Sequence, residues 1–142
     1  MEIKDLSVCF TTNDIAACKD FYTKYMGAIV TFDYSWYTSI MFMWEDRKYF
    51  LSFMAPQNNE PLHNGEGMMI NMWVPDVDKE YERLQAMDIG IIVPIKDNPW
   101  GDRSFQVVDP IKNRIYIYSD RKPAPEFMDA YNKQNEIINN IK

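Results

Sequence analysis

Few side chains in this sequence could act as nucleophiles, general bases or metal ligands. His63 is the only histidine, and a lone histidine in a polar loop is usually solvated rather than catalytic. Cys9 and Cys18 are the only cysteines, and their spacing matches no zinc motif. We interpret both as buried thiols in a reducing compartment. The residue types therefore exclude a Ser-His-Asp triad, a Cys-His pair and a facial triad of metal ligands.

A turn-rich stretch near residue 100 contains an arginine close to a tryptophan. Arg103 can stack on the indole of Trp100 or bind a ligand anion, or it can clamp the loop, which is the role we favour. Further along, Asp109 and Pro110 begin a turn. Asn113 can end that turn, because asparagine tolerates a left-handed backbone.

The first half of the chain is predicted to form a strand, a helix and three strands. Residues 3–11 alternate as a half-buried strand, with Leu6, Val8 and Phe10 on one face. An Asn-Asp pair then caps a helix, which Gly27 ends. The β-rich runs that follow are residues 28–34, 37–44 and 48–54.

After a polar stretch the same order of elements begins again. A strand over residues 68–74 precedes a helix that Asp76 opens, and strands follow at 91–95, 104–108 and 113–119. Asp14 aligns with Asp76, and the order of elements marks an internal repeat. The sequence therefore predicts an α+β fold made of two βαβββ modules. Module one is 1–55, the linker 56–66, module two 67–122 and a C-terminal helical segment 123–142.

Two stretches of the second module resemble a known family. Residues 98–105 read Asn-Pro-Trp-Gly-Asp-Arg-Ser-Phe, and residues 109–115 read Asp-Pro-Ile-Lys-Asn-Arg-Ile. They are similar to the Pro-Trp-Gly-x-Arg and Asp-Pro-x-Gly-Asn motifs of the glyoxalase/bleomycin-resistance, or vicinal oxygen chelate, superfamily. The resemblance implies a concave half-barrel sheet. Lys112 stands where the family usually has glycine, and the turn tolerates lysine if that residue is not left-handed.

The resemblance also implies where a catalytic metal would bind. Metal-dependent members use four ligands from four strands, usually His, His or Glu, His, and Glu. The equivalent positions here are Ser7, Phe50 or Ser52, Met69 and Tyr116. None of these is a good ligand for zinc, nickel, manganese or iron, and magnesium or calcium would need carboxylates. We therefore predict no metal and no cofactor, as in the metal-free bleomycin-resistance-like members.

Strand alternation predicts what lines the concave surface instead. The residues expected to point inward are Ser7, Cys9, Asn71, Trp73, Arg114, Tyr116 and Tyr118. Trp36 and Tyr37 are expected at the rim. Aromatic rings with a few polar groups are typical of a small-molecule site, although the same side chains can also fill a closed sheet or a dimer contact.

Charge and composition restrict the partners and the compartment. The formal net charge of -6 opposes phosphate binding, so we expect no nucleic acid. No apolar run approaches the ~20 residues of a membrane span, and we predict a cytoplasmic protein. The expected partners are an aromatic or cationic organic molecule and a second copy in a homodimer.

Three hypotheses for function follow. The first is a metal-free protein that binds a small organic molecule, as drug-sequestering relatives do. The second is a metal-dependent lyase, isomerase or dioxygenase with relocated ligands. The third is a regulatory or structural module whose cleft is filled and whose partner is another protein. We rank them in that order.

Overall fold

The computed structural model describes residues 1–141, in which the order strand, helix, three strands occurs twice. The first set is β1 (Ser7–Thr11), α1 (Ile15–Met26), β2 (Ile29–Tyr34), β3 (Tyr37–Trp44) and β4 (Arg47–Met54). The second is β5 (Met69–Trp73), α2 (Val77–Ala86), β6 (Ile91–Asn98), β7 (Asp102–Val108) and β8 (Arg114–Asp120). A last helix, α3 (Pro125–Asn140), follows.

Each set forms its own four-stranded sheet. The strand orders are β1-β4-β3-β2 and β5-β8-β7-β6. In both sheets the first strand pairs in parallel with the fourth. Parallel strands need a long crossover connection, and here the connection contains a helix and two further strands. The predicted α+β architecture of two βαβββ modules with a C-terminal helix is confirmed.

The chain divides into two compact units that do not coincide with the two halves of the sequence. The first unit comprises residues 1–68 together with 108–113, which are the last residue of β7 and the loop that leads to β8. The second unit comprises residues 69–107 and those from 114 onward. The β7–β8 loop therefore belongs structurally to the first unit, although the strands on either side of it belong to the second.

In the first unit, α1 covers one face of the sheet. Cys18 and Tyr22 of α1 are fully buried, as are Ile40 and Phe53 of the strands beneath. Cys18 is buried as predicted, and burial together with the nearby Asp109 carboxylate raises the pKa of its thiol to about 12, so the thiol stays protonated at neutral pH. Gly27 ends the helix at φ 68°, also as predicted.

Strand β1 differs from its prediction. It begins at Ser7 rather than at residue 3, because its parallel pairing with β4 starts there. Leu6 precedes the pairing and is 81% exposed, while Phe10 is buried. The prediction that Cys9 is buried was wrong. Cys9 is exposed because it alternates with Phe10 and falls on the face that no helix covers.

In the second unit, α2 covers one face of the other sheet. Asp76 caps the helix as predicted, its carboxylate accepting from the backbone N–H of Lys79 at 3.1 Å. Val77 and Leu84 of α2 are fully buried with Ile115 of β8. Strands β6 and β7 extend beyond the predicted ranges, to Asn98 and from Asp102, because these two residues still pair across the turn. We call the uncovered side of each sheet its open face.

Helix α3 contributes no buried residue, and Ile137 and Ile138 are more than half exposed. It begins with Pro125 at its first turn, where proline needs no hydrogen-bond donor. Within residues 1–141, no helix has the length and apolar character required to span a membrane.

Candidate functional site

The open face of the second sheet presents side chains that alternate with buried ones. Along β8, Ile115 and Ile117 are buried, whereas Tyr116 and Tyr118 are half-buried on the opposite side. Their neighbours across the parallel ladder are Asn71, opposite Tyr116, and Trp73, opposite Tyr118. The alternation that predicted these residues to share a face is therefore observed.

A depression of about 400 Å³ lies on this open face. Its lining consists of aromatic, polar and thioether side chains, namely Met69, Asn71, Trp100, Asp102, Tyr116 and Tyr118. The volume falls within the range of small-molecule pockets. All six residues belong to the second unit, so this depression is complete without any residue of the first.

The Asp102 carboxylate organises one side of the depression. It accepts from the phenol of Tyr116 at 2.9 and 3.0 Å, from the indole N–H of Trp100 at 2.9 Å, and from the amide of Asn98 at 2.8 Å. The same Asn98 amide donates to Ser104 Oγ at 2.8 Å. These bonds hold the tyrosine and tryptophan rings in fixed positions relative to each other.

Both tyrosines of the depression have a raised pKa and keep their phenolic protons at neutral pH. Burial raises the pKa of Tyr116 above its ordinary value. Burial also raises the pKa of Tyr118, and the carboxylates of Asp120 and Asp102 raise it further. A phenol with a raised pKa keeps its proton at neutral pH, so neither tyrosine is a suitable base there.

Arg103 is a structural clamp, as the sequence analysis favoured. Its Nε lies 2.9 Å from Asp78 of α2, and its Nη1 lies 3.3 Å from Asp97 of β6. Arg121 joins the same carboxylate, Asp78, at 3.4 Å. The guanidinium of Arg103 therefore ties the helix to the strands, and its charge is already paired with protein carboxylates.

The predicted site residues fall into two groups. Asn71, Tyr116 and Tyr118 line the depression, while Trp73 and Arg114 lie on the same open face outside it. The indole of Trp73 donates to Asp120 at 3.0 Å, and Arg114 donates to Gln106 at 2.7 Å.

Ser7, Trp36 and Tyr37 form the other group, in the first unit. Ser7 pairs across the ladder with Phe50 and is exposed. Tyr37 donates its phenolic proton to Ser52 Oγ at 2.8 Å, and its ring lies 6.1 Å from that of Trp36. This open face mixes polar and apolar side chains, since Ser39 lies opposite Ser52 and Met41 lies opposite Phe50.

Three residues that line the depression were not predicted from the sequence to do so, namely Met69, Trp100 and Asp102. Met69 was considered only as a lost metal ligand. Trp100 and Asp102 stand at the β6–β7 turn, where strand alternation gives no direction. The sequence did hold one signal of a tight turn, which is the glycine between these two residues. In the structure Gly101 has φ 115°, a conformation that favours glycine.

The positions that would hold the family's metal do not provide a ligand set. Tyr116 at the last position donates its proton to Asp102, and Met69 at the third offers only a weak thioether. Among residues 1–141, no group of three or more His, Cys, Asp or Glu side chains could hold a metal ion. The side chains present therefore do not fit the metal site that the family's enzymes use.

A second buried network lies in the first unit around Asp109, which is 4% exposed. Its carboxylate accepts from the phenol of Tyr22 at 2.6 Å, from the backbone of Ile111 at 3.0 Å, and from the backbone and amide of Asn113 at 2.7 and 2.8 Å. Asn113 Oδ1 lies 2.6 Å from Nε2 of His63. Burial strongly raises the pKa of Tyr22, which keeps this phenol a donor.

His63 and Lys112 both depart from what the sequence suggested. The His63 ring is half-buried and lies 4.7 Å from that of Phe10, so the expectation of a solvated loop histidine was wrong. Lys112, not Asn113, takes the left-handed conformation of the turn, at φ 70°. Asn113 is needed for its side-chain hydrogen bonds, so the backbone reversal falls on the lysine before it.

Replacing Lys112 with glycine is expected to raise the free energy of unfolding by about 0.5–1 kcal/mol. A left-handed conformation costs an L-residue roughly 1–2 kcal/mol, and the greater freedom of unfolded glycine offsets part of that gain. Urea denaturation of the wild type and Lys112→Gly tests this. Lys122→Gly, which lies outside the turn, is the control. A Lys112→Gly variant less stable than the wild type would contradict the strain argument.

Comparison with known proteins identifies what this arrangement is similar to. A family model described as the Glyoxalase/Bleomycin resistance protein/Dioxygenase superfamily matches residues 6–117. No curated protein sequence matches the chain closely enough to count as a relative.

Several solved structures share the fold. A glyoxalase/bleomycin resistance protein/dioxygenase from Nocardioides has a TM-score of 0.68 and 20% identity, covering 88% of this chain and 89% of its own. TnmS3, an antibiotic binding protein from Streptomyces sp. CB03234, has a TM-score of 0.67 and 22% identity, with coverage of 84% and 98%. Lactoylglutathione lyase from Agrobacterium tumefaciens has a TM-score of 0.59 and 19% identity, with coverage of 84% and 96%. At these identities the likeness shows the fold alone.

Proposed function

Because the chain belongs to the glyoxalase/bleomycin resistance protein/dioxygenase superfamily, we propose that it binds a flat organic molecule without a metal ion. This assigns it to the metal-free, bleomycin-resistance-like members rather than to the enzymes. The observation that carries the proposal is the depression on the open face of the second sheet, with its aromatic walls and fixed polar groups.

The shape and chemistry of the depression favour a flat ligand. Trp100 is 50% exposed, so one side of its indole is available, and its N–H is held by Asp102. The rings of Tyr116 and Tyr118 have centroids 5.8 Å apart. Stacking of a ligand ring on such a wall contributes about 0.5–1.5 kcal/mol per ring beyond the area buried. Asn71 adds an amide that can donate and accept.

The other predicted site residues have assigned places in this proposal. Trp73 and Arg114 flank the depression on the same face, where they would contact a ligand larger than a single ring system. Ser7, Trp36 and Tyr37 belong to the first unit and lie outside this depression. We further propose that the protein is homodimeric and cytoplasmic. Light scattering of the purified protein would test the dimer.

The enzyme hypothesis receives less support. A metal-dependent lyase, isomerase or dioxygenase needs a set of metal ligands. The four positions that correspond to the family's ligands are occupied here by Ser7, by Phe50 or Ser52, by Met69 and by Tyr116. The solved neighbours include both an antibiotic binding protein and a lactoylglutathione lyase, so fold alone does not decide between binding and catalysis.

We expect the purified protein to carry no stoichiometric zinc, nickel, manganese or iron. The physical reason is the lack of imidazole, thiolate and carboxylate donors at the mapped positions. Elemental analysis after purification without chelators would measure this, with a metal-loaded glyoxalase as the positive control. One equivalent of a transition metal per chain would refute the metal-free proposal.

A thermal-shift screen of flat aromatic compounds would test binding itself. A compound that binds the native state raises the melting temperature in a concentration-dependent manner. We expect saturable binding of one molecule per depression, with the compound recovered unchanged. Chemical conversion of the bound compound would favour the enzyme hypothesis instead.

A further inference from the structure

We infer that the depression selects a flat organic cation, an aromatic ring system that carries a quaternary or protonated nitrogen. The inference rests on the proposed function and specifies its ligand class. It follows from the charge of Asp102 and from the rings beside it.

The Asp102 carboxylate carries a charge that the protein leaves without a counterion. The residue is only 8% exposed, and its partners, Asn98, Trp100 and Tyr116, are all neutral donors. Among residues 1–141, no ion pair joins Asp102 to a lysine, arginine or histidine. A charge in such a poorly hydrated place acts more strongly on a ligand than one in water.

The carboxylate also retains capacity to accept a bond from a ligand. Two carboxylate oxygens offer about four lone-pair sites, and the protein supplies three donor groups. A protonated amine could therefore add one charge-assisted hydrogen bond, whereas a quaternary nitrogen would use the field alone.

The aromatic lining suits the same class of ligand. The faces of Trp100, Tyr116 and Tyr118 carry negative quadrupole density, which attracts a cation that has given up part of its hydration. Charged groups also share the open face outside the depression, and one of them, Lys96, is an exposed cation that lies opposite Ser104 across the β6–β7 ladder. Asp120 adds negative charge near Tyr118, and the opposing charge of Arg114 is held against Gln106 at the other end of β8. An anionic ligand would meet the Asp102 charge unfavourably.

A series of three matched probes tests the inference. N-methylquinolinium is a flat cation, quinoline is its uncharged counterpart at neutral pH, and naphthalene-1-carboxylate is an anion of similar shape. Their dissociation constants for the wild-type protein would be measured by calorimetry at neutral pH. We expect N-methylquinolinium to bind about tenfold tighter than quinoline, and the carboxylate to bind weakest.

The second comparison measures the binding of the same probes to an Asp102→Asn variant. Asp46→Asn is the control, because it removes the same charge from an exposed turn of the first unit. Asp102→Asn is expected to remove the preference for the cation, while Asp46→Asn keeps it. Circular dichroism checks the fold of each variant. If Asp102→Asn does not fold, the wild-type series alone decides.

The outcomes separate the two proposals. Equal binding of the cation and quinoline, or a preference for the anion, would overturn the inference and leave the proposed function standing. Binding of none of the three would overturn both. Retention of the cation preference in a folded Asp102→Asn variant would also overturn the role of Asp102.

Discussion

Replacing Asp109 with alanine is expected to lower the free energy of unfolding by about 3–5 kcal/mol. The carboxylate accepts four hydrogen bonds from Tyr22, Ile111 and Asn113, all in a buried setting. Alanine would leave those donors unsatisfied, and an unsatisfied buried donor costs about 1–3 kcal/mol. Such a loss is a large part of the total stability of a domain, which is roughly 5–15 kcal/mol.

Urea denaturation, followed by circular dichroism, measures this effect. Tyr22→Phe is the matched variant, because it removes one donor of the four bonds and leaves the carboxylate in place. We expect it to cost only about 1–2 kcal/mol. A loss below about 1 kcal/mol in Asp109→Ala would show that the network is not a principal source of stability.

The second large effect concerns Trp100. Trp100→Ala is expected to weaken the binding of N-methylquinolinium by at least about tenfold, because it removes both a stacking surface and the donor that orients Asp102. Trp100→Phe keeps a ring without the N–H, and we expect an intermediate loss. Calorimetry of the three proteins gives the series.

Trp44→Ala is the control for this comparison. Trp44 is 45% exposed against 50% for Trp100, but it belongs to the first unit at the β3–β4 turn. Its replacement should leave the affinity unchanged. Wild-type affinity in a folded Trp100→Ala variant would contradict the assignment of the ligand to this depression.

The sequence predicted the elements well because their signals are local. Alternation along β8 correctly separated Tyr116 and Tyr118 from Ile115 and Ile117, since side chains on a strand must alternate. The internal repeat then gave the order of both modules. The strand ends were less accurate because partners determine them, as the pairing of Asn98 with Asp102 shows.

The site was predicted less completely, because turns and loops bring distant residues together. No periodicity directs Trp100 and Asp102 towards β8, yet both reach Tyr116. His63 was interpreted as solvated because it is a lone histidine in a polar loop, and its partner, Asn113, is 50 residues away in the chain. The left-handed lysine at 112 likewise depends on the bonds that Asn113 makes with Asp109. Apart from the glycine that marks the β6–β7 turn, contacts of this kind have no signature in a single sequence.

The location of the β7–β8 loop has a consequence for synthesis on the ribosome. Tyr22 and its acceptor Asp109 are separated by 87 residues, so the helix emerges long before the group that its phenol must donate to. Translation proceeds at about 5–20 residues per second, so the first unit stays incomplete for several seconds. During that interval Tyr22 of α1 lacks its acceptor, and contacts between residues so far apart in the chain form slowly. We therefore expect the first unit to complete its buried network only after residues 108–113 have been synthesised.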